Sequence, residues 1–154
     1  MTTRGPNRLV GAVFTVAGII GVLTGAVPFA VNALRIVRGH EWWQTSDWAG
    51  HGVEAMGLGV EWGMLSSAMG LCLGIMLLWA ARCWFRGRDH APVVTWAYVL
   101  FGLGVNVTDM FIFALHARCG RMRTHMLWAD GAALAFAVLV GLWLLARRER
   151  KDQA

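Results

Sequence analysis

Residues 51–79, HGVEAMGLGVEWGMLSSAMGLCLGIMLLW, decide how this chain is to be read. The run exceeds the roughly 20 apolar residues needed to cross about 30 Å of hydrocarbon, yet it holds Glu54 and Glu61. At about 100° per residue, a helix returns to nearly the same face after seven positions. Glu54 and Glu61 therefore share a face with His51, Leu58, Leu65 and Cys72, while Gly59, Gly63, Gly70 and Gly74 fall on the opposite side. Ionisable groups at bilayer depth cost roughly 2.5–3.5 kcal/mol each on insertion scales, so a functional role is the first expectation for them.

Three more apolar runs surround this one. The spans run about 9–34, 52–81, 91–117 and 126–146, and each is long enough to cross a bilayer. With 57% hydrophobic and 15% charged residues and a mean hydropathy of +0.53, the chain does not read as a soluble globule. The expected fold is all-α, a four-transmembrane-helix bundle forming a single integral membrane domain over residues 1–154. Residues 1–34 mimic a signal peptide, but their apolar part exceeds the usual 7–15 residues, so a retained helix is expected.

The net charge of +5 carries no nucleic-acid signal, because its basic residues sit at helix ends. Arg4, Arg8, Arg82, Arg86, Arg88, Arg147, Arg148, Arg150 and Lys151 lie on one side of the expected topology. Arg35, Arg38, Arg118, Arg121 and Arg123 lie on the other. The excess on the first side places both termini in the cytoplasm, in a multi-pass topology suited to a bacterial inner membrane. Cys72, Cys83 and Cys119 form no CxxC pair and read as free thiols.

Helix one is uncharged. Gly11, Gly18 and Gly25 recur every seven residues, and Gly21 with Gly25 makes a GxxxG, the mark of a close-packing wall. Pro28 is expected to kink its outer end. Residues 35–50 carry Trp42, Trp43 and Trp48 among charges, which suits an anchor at the headgroup layer. Helix three bears a second polar stripe. Thr95, Tyr98, Gly102, Asn106, Asp109, Phe113 and His116 follow spacings of three and four and share one face. On helix four, Asp130 is followed on its own face by Ala133, Ala137 and Gly141, small enough for tight packing below the acid.

Depth joins these stripes. At about 1.5 Å per residue, His51, Glu54, His116 and His125 fall near the outer surface, and Glu61, Asn106 and Asp109 fall about 10 Å deeper, with Asp130 between. The polar groups gather in the outer half of the bundle, and the inner half is nearly all apolar. This asymmetry predicts a cavity open to one side or to the bilayer. Carboxylates in such a place suit proton transfer, one member of a pair holding a proton to give while the other is ready to take one. Glu61 and Asp109 are the expected catalytic pair. Asn106 orients a substrate group, and Trp62 and Phe113 offer aromatic faces to a hydrophobic substrate or a carbocation. Tyr98, Glu54, Asp130 and His116 complete the expected pocket.

Other readings use the same residues. A metal site would draw on His51, Glu54, His116, His125 and Asp130, which are acceptable ligands, but no HExxH, ExxH or Cys/His motif is present. A bis-histidine haem through His51 and His116 is a further geometry. The favoured reading therefore needs no metal and no cofactor. A proton or cation relay through Glu54, Glu61, Asp109 and His116 would make the chain a transporter or a transport subunit. The bilayer and a hydrophobic small molecule are the expected partners, with the glycine faces available for a homo-oligomer.

Three pieces together resemble the emopamil-binding (EXPERA) proteins over about residues 53–146. They are VEWGMLSSAMG with Glu61, followed by a basic loop; GVNVTDMFIFALH with Asn106 and Asp109; and a last apolar helix containing Leu142 and Trp143. That family has a four-helix membrane domain and includes sterol isomerases. The family's histidine and glutamate on its first helix have no counterpart in the uncharged helix one, and His51 and Glu54 on the next helix stand as candidate replacements. The resemblance implies a lipid-sized substrate entering from the bilayer and proton transfer at carbon. The function expected is thus an acid–base enzyme, an isomerase or proton-initiated cyclase, for a sterol-, terpenoid- or polyketide-like molecule.

Overall fold

The computed structural model describes the backbone of residues 7–38, 53–117 and 124–152. It describes side chains at 7–31, 33–34, 37–38, 64–111, 128 and 130–149. Four helices occupy this backbone: α1 (Arg8–Val37), α2 (Val53–Phe85), α3 (Ala91–Ala117) and α4 (Thr124–Asp152). Each contains a stretch long and apolar enough to cross a membrane. Among the described residues the protein is all-helical, and its four apolar helices make it a multi-pass membrane protein, as expected.

The ends differ from expectation. α4 does not stop at the Arg147–Lys151 cluster but runs through it to Asp152, since arginine and lysine are good helix formers and need only reach the headgroups. α1 continues past Pro28 to Val37. Proline cannot bond the carbonyl four residues back, and the Thr24 hydroxyl turns to the Ile20 and Gly21 carbonyls (2.8 and 3.2 Å) rather than relieving it. The α2–α3 connection occupies residues 86–90. Gly87 takes a φ of 61° there, Arg88 N donates to Cys83 O (3.0 Å), and Gly87 N donates to Trp84 O (3.3 Å). This left-handed glycine cap ties off the last carbonyls of α2. α1 is capped in turn by Asn7, whose Oδ1 accepts from Val10 N at 3.2 Å.

Glycines set the α1–α2 seam. A methyl group on Gly25 would collide with the Leu71 amide and sit 2.6 Å from the Ser67 carbonyl. On Gly74 it would meet the Val22 amide, the Gly21 carbonyl carbon at 2.8 Å and the Gly18 carbonyl oxygen at 2.9 Å. Backbone lies against backbone, which only residues lacking a side chain permit. The expected glycine wall of α1 is thus confirmed, and the glycine face of α2 is covered at Gly70 and Gly74 by α1 of the same chain.

α3 and α4 pack closely through small residues on both helices. A methyl on Gly102 would lie 3.7 Å from the Ala137 Cβ, and one on Gly141 would lie 3.2 Å from Val99 Cγ1. Ala137 is fully buried, as its place below Asp130 predicted. α1 and α4 make no close backbone approach among the described residues. Side chains bridge them instead, with Phe14 edge-on to Phe136 at 6.4 Å between ring centroids. At the end of the bundle where α1 begins, Trp84 meets Trp143 at 5.4 Å and donates its indole N–H to Thr95 Oγ1 at 3.0 Å. This end of the bundle is therefore not featureless. The Trp84 indole and the Thr95 hydroxyl are satisfied within the protein, as buried polar groups generally are.

Candidate carboxylate site

The α3 stripe faces inward as its periodicity required. Thr95, Tyr98, Asn106 and Asp109 are all buried, and Asp109 is only 3% exposed. Asp109 Oδ2 accepts a hydrogen bond from Ser66 Oγ at 2.8 Å, joining α3 to α2 across 43 positions of sequence. A hydroxyl donor on a buried carboxylate is a strong tie in a site without bulk water. Asp130 of α4 comes within electrostatic reach of Asp109. Its Oδ2 is shielded from solvent and has no hydrogen-bond partner among the described residues. A native protein seldom leaves such an atom unmatched without a use for it. Three helices thus bring a serine and two aspartates to one place in the bundle.

Asn106, one turn along α3 from Asp109, is 5% exposed. Its Nδ2 donates back to the Gly102 carbonyl at 2.6 Å, so one of its two amide hydrogens is engaged on its own helix. Tyr98 belongs elsewhere. It lies eleven positions before Asp109, about 16 Å along the helix axis, and packs edge-on against Phe136 at 6.3 Å. The structure gives it to the hydrophobic core, where its large ring fills the centre of the bundle, and not to the carboxylate pocket.

The expected orientation of α2 also changes. The face assigned to Glu54 and Glu61 turns outward at its described members: Leu65 is 45% exposed and Cys72 is exposed. The face that meets α3 instead carries Ser66, Met69 and Leu73, with Leu73 Cδ2 lying 3.5 Å from where a Gly102 methyl would stand. The side chains of Glu54, Glu61, Trp62, Phe113, His116 and His125 lie outside the described residues, as does His51. Among the described residues no three histidine, cysteine, aspartate or glutamate side chains converge as metal ligands.

Ser66 is the participant that the sequence reading passed over. Its one signal was a Ser-Ser pair in the middle of an apolar span, and that pair alone does not say which hydroxyl turns inward. Cys83 is a free thiol, as expected. It is buried, and the Nε2 of the exposed His90 stands 3.4 Å from its Sγ.

Beside the carboxylates runs a lateral groove between α2 and α3. It has a volume of about 300 Å³ and is lined by Met69, Leu100, Phe101, Gly104, Val105 and Thr108. Leu100 and Phe101 are 66% and 44% exposed, so this groove opens on the outside of the bundle within the membrane span of α3, Ala91–Phe111. Met69 is one turn past Ser66, and Val105 and Thr108 stand four and one positions before Asp109. The α3 wall of this groove ends at Thr108, the residue before Asp109, and neither aspartate lines it. Its volume is at the small end of the roughly 300–1,000 Å³ usual for small-molecule pockets.

No family model, curated protein or solved structure matches this chain.

Proposed function

We propose that this protein is a membrane-embedded acid–base enzyme, an isomerase or proton-initiated cyclase acting on a hydrophobic sterol-, terpenoid- or polyketide-like molecule. The observation that carries the reading is the buried Asp109, tied to Ser66, with Asp130 in electrostatic reach of it and without a hydrogen-bond partner for its Oδ2 among the described residues. Moving a double bond requires a proton delivered to one carbon and removed from another. Two carboxylates in different settings supply a donor and an acceptor. Asp109 and Asp130 take these roles, in place of the Glu61–Asp109 pair that spacing suggested. The lateral groove fits a substrate arriving from the bilayer. Phe101 on its wall presents an aromatic face of the kind that steadies a developing carbocation.

Kinship with the emopamil-binding proteins belongs to this proposal, as does a bacterial inner-membrane location with both termini in the cytoplasm. The resemblance rests on short pieces of sequence, among them GVNVTDMFIFALH with Asn106 and Asp109.

Isomerisation and cyclisation leave mass unchanged, which makes the test direct. Membranes from cells expressing the wild-type chain and the Asp109→Asn chain are extracted and compared by liquid chromatography with mass spectrometry. The expected result is a neutral lipid that changes retention time at constant mass with the wild type and does not with the variant, at equal levels of inserted protein. Identical lipid profiles, together with an Asp109-dependent proton flux in liposomes, would replace this reading by the transport one.

A further inference from the structure

The junction of α2 and α3 carries a pair of side chains that the carboxylate site does not use. Cys83 Sγ and His90 Nε2 stand 3.4 Å apart across seven positions of sequence. The backbone around them is tied at both ends. Arg88 N donates to Cys83 O at 3.0 Å, Arg88 O accepts from Ala91 N at 3.0 Å, and His90 O accepts from Val94 N at 3.1 Å. The left-handed Gly87 closes the turn. The last turn of α2 and the residue before α3 thus hold a thiol against an imidazole.

A thiol within hydrogen-bond reach of a base is the arrangement that activates a cysteine nucleophile. With Nε2 unprotonated, the ring accepts the S–H and can take its proton. The surrounding charge favours a developing thiolate. Arg82, Arg86 and Arg88 are exposed in the same stretch, against one acid, Asp89. Exposure then decides what reacts. Cys83 is only 4% exposed, while the imidazole that touches its sulfur is exposed. A reagent as small as hydrogen peroxide suits such a sulfur, and a bulky electrophile does not.

We infer that Cys83 is a peroxide-reactive thiol, with His90 as its proton acceptor. The thiol gives its proton to Nε2 as the sulfur attacks one oxygen of hydrogen peroxide. The S–O bond forms and the O–O bond breaks. The departing hydroxide takes the proton back from His90 and leaves as water. The sulfur is oxidised by two electrons to a sulfenic acid, and the peroxide is reduced. The inference does not depend on the activity of the carboxylate site.

The full chain in mild detergent at neutral pH is exposed to hydrogen peroxide for increasing times. Remaining thiols are alkylated in denaturant, and peptide mass spectrometry counts each cysteine separately. The Cys83 thiol is expected to disappear about tenfold faster than that of Cys72, which is exposed on the same helix, since an unassisted thiol is mostly protonated at neutral pH. Dithiothreitol should restore it, as a sulfenic acid is reducible. His90→Gln keeps much of the bulk of the ring and His90→Ala removes it, and both should slow the loss about tenfold, because neither side chain takes up a proton. Asp89→Asn, at the exposed neighbouring position, should change the rate less than about twofold. A ring that merely covers the sulfur gives the opposite sign, with His90→Ala oxidised faster than the wild type. That result, an unchanged rate in His90→Gln, or equal rates at Cys72 and Cys83 in the wild type would each overturn the inference. Both variants leave the backbone bonds of the turn in place, so failure of one to fold leaves the other to decide.

Discussion

The α1–α2 seam and the place where α2, α3 and α4 converge are assembled from opposite materials. At the seam, Gly18, Gly21, Gly25 and Gly74 remove side chains so that two backbones touch. At the convergence, Ser66, Asp109 and Asp130 hold polar groups apart from lipid, with an apolar groove left beside them. In a bilayer, apolar side chains gain little by leaving lipid for protein, so close van der Waals contact and hydrogen bonds hold helices together. The seam uses the first device where Gly21 and Gly25 meet Gly74 and Leu71. The convergence uses the second and keeps a cavity. The two regions thus answer the same solvent with opposite devices, one closing the space between helices and the other leaving a groove.

The sharpest way to break this contrast is at Gly25. Gly25→Ala should lower stability by about 2–3 kcal/mol, the upper part of the usual overpacking range, because the new methyl meets backbone that cannot rotate away. The midpoint of unfolding in mixed SDS–detergent micelles reads this. Next comes Ser66→Ala, which removes the hydroxyl donor from Asp109 and should cost about 1.5–2 kcal/mol. The same variant should slow any lipid conversion while leaving membrane insertion unchanged, whereas Gly25→Ala should affect turnover only through the amount folded. Gly87→Ala should cost about 1 kcal/mol, since its φ of 61° suits a residue without Cβ. Smallest of all is Gly70→Ala, expected within about 0.5 kcal/mol of wild type, as its nearest neighbour beyond the helix is the Gly25 Cα at 3.8 Å. Equal losses at Gly25 and Gly70 would show that the seam is not set by backbone contact.

Much of this arrangement can be read from local pattern. The stripe Thr95, Tyr98, Asn106 and Asp109 was legible because its spacing alone puts those residues on one side of a helix, and that side is buried. The small residues below Asp130 were legible for the same reason, and Ala137 and Gly141 do receive α3. Tyr98 was misassigned because a shared face says nothing of distance along the axis, and about 16 Å separates it from Asp109. On α2 the acids drew attention to the face of Leu65 and Cys72, but Ser66, one position and about 100° away, is the residue that meets α3.

By itself the sequence determined that four helices cross a membrane and which acids sit within them. Hydropathy and helical period are local properties and sum along the chain. Only the tertiary structure decided how each helix is turned. With lipid on the outside and apolar side chains within, most faces of α2 suit either environment equally. The closest fit of glycine backbones along α1 fixed its rotation, and Ser66 came to Asp109 as a consequence.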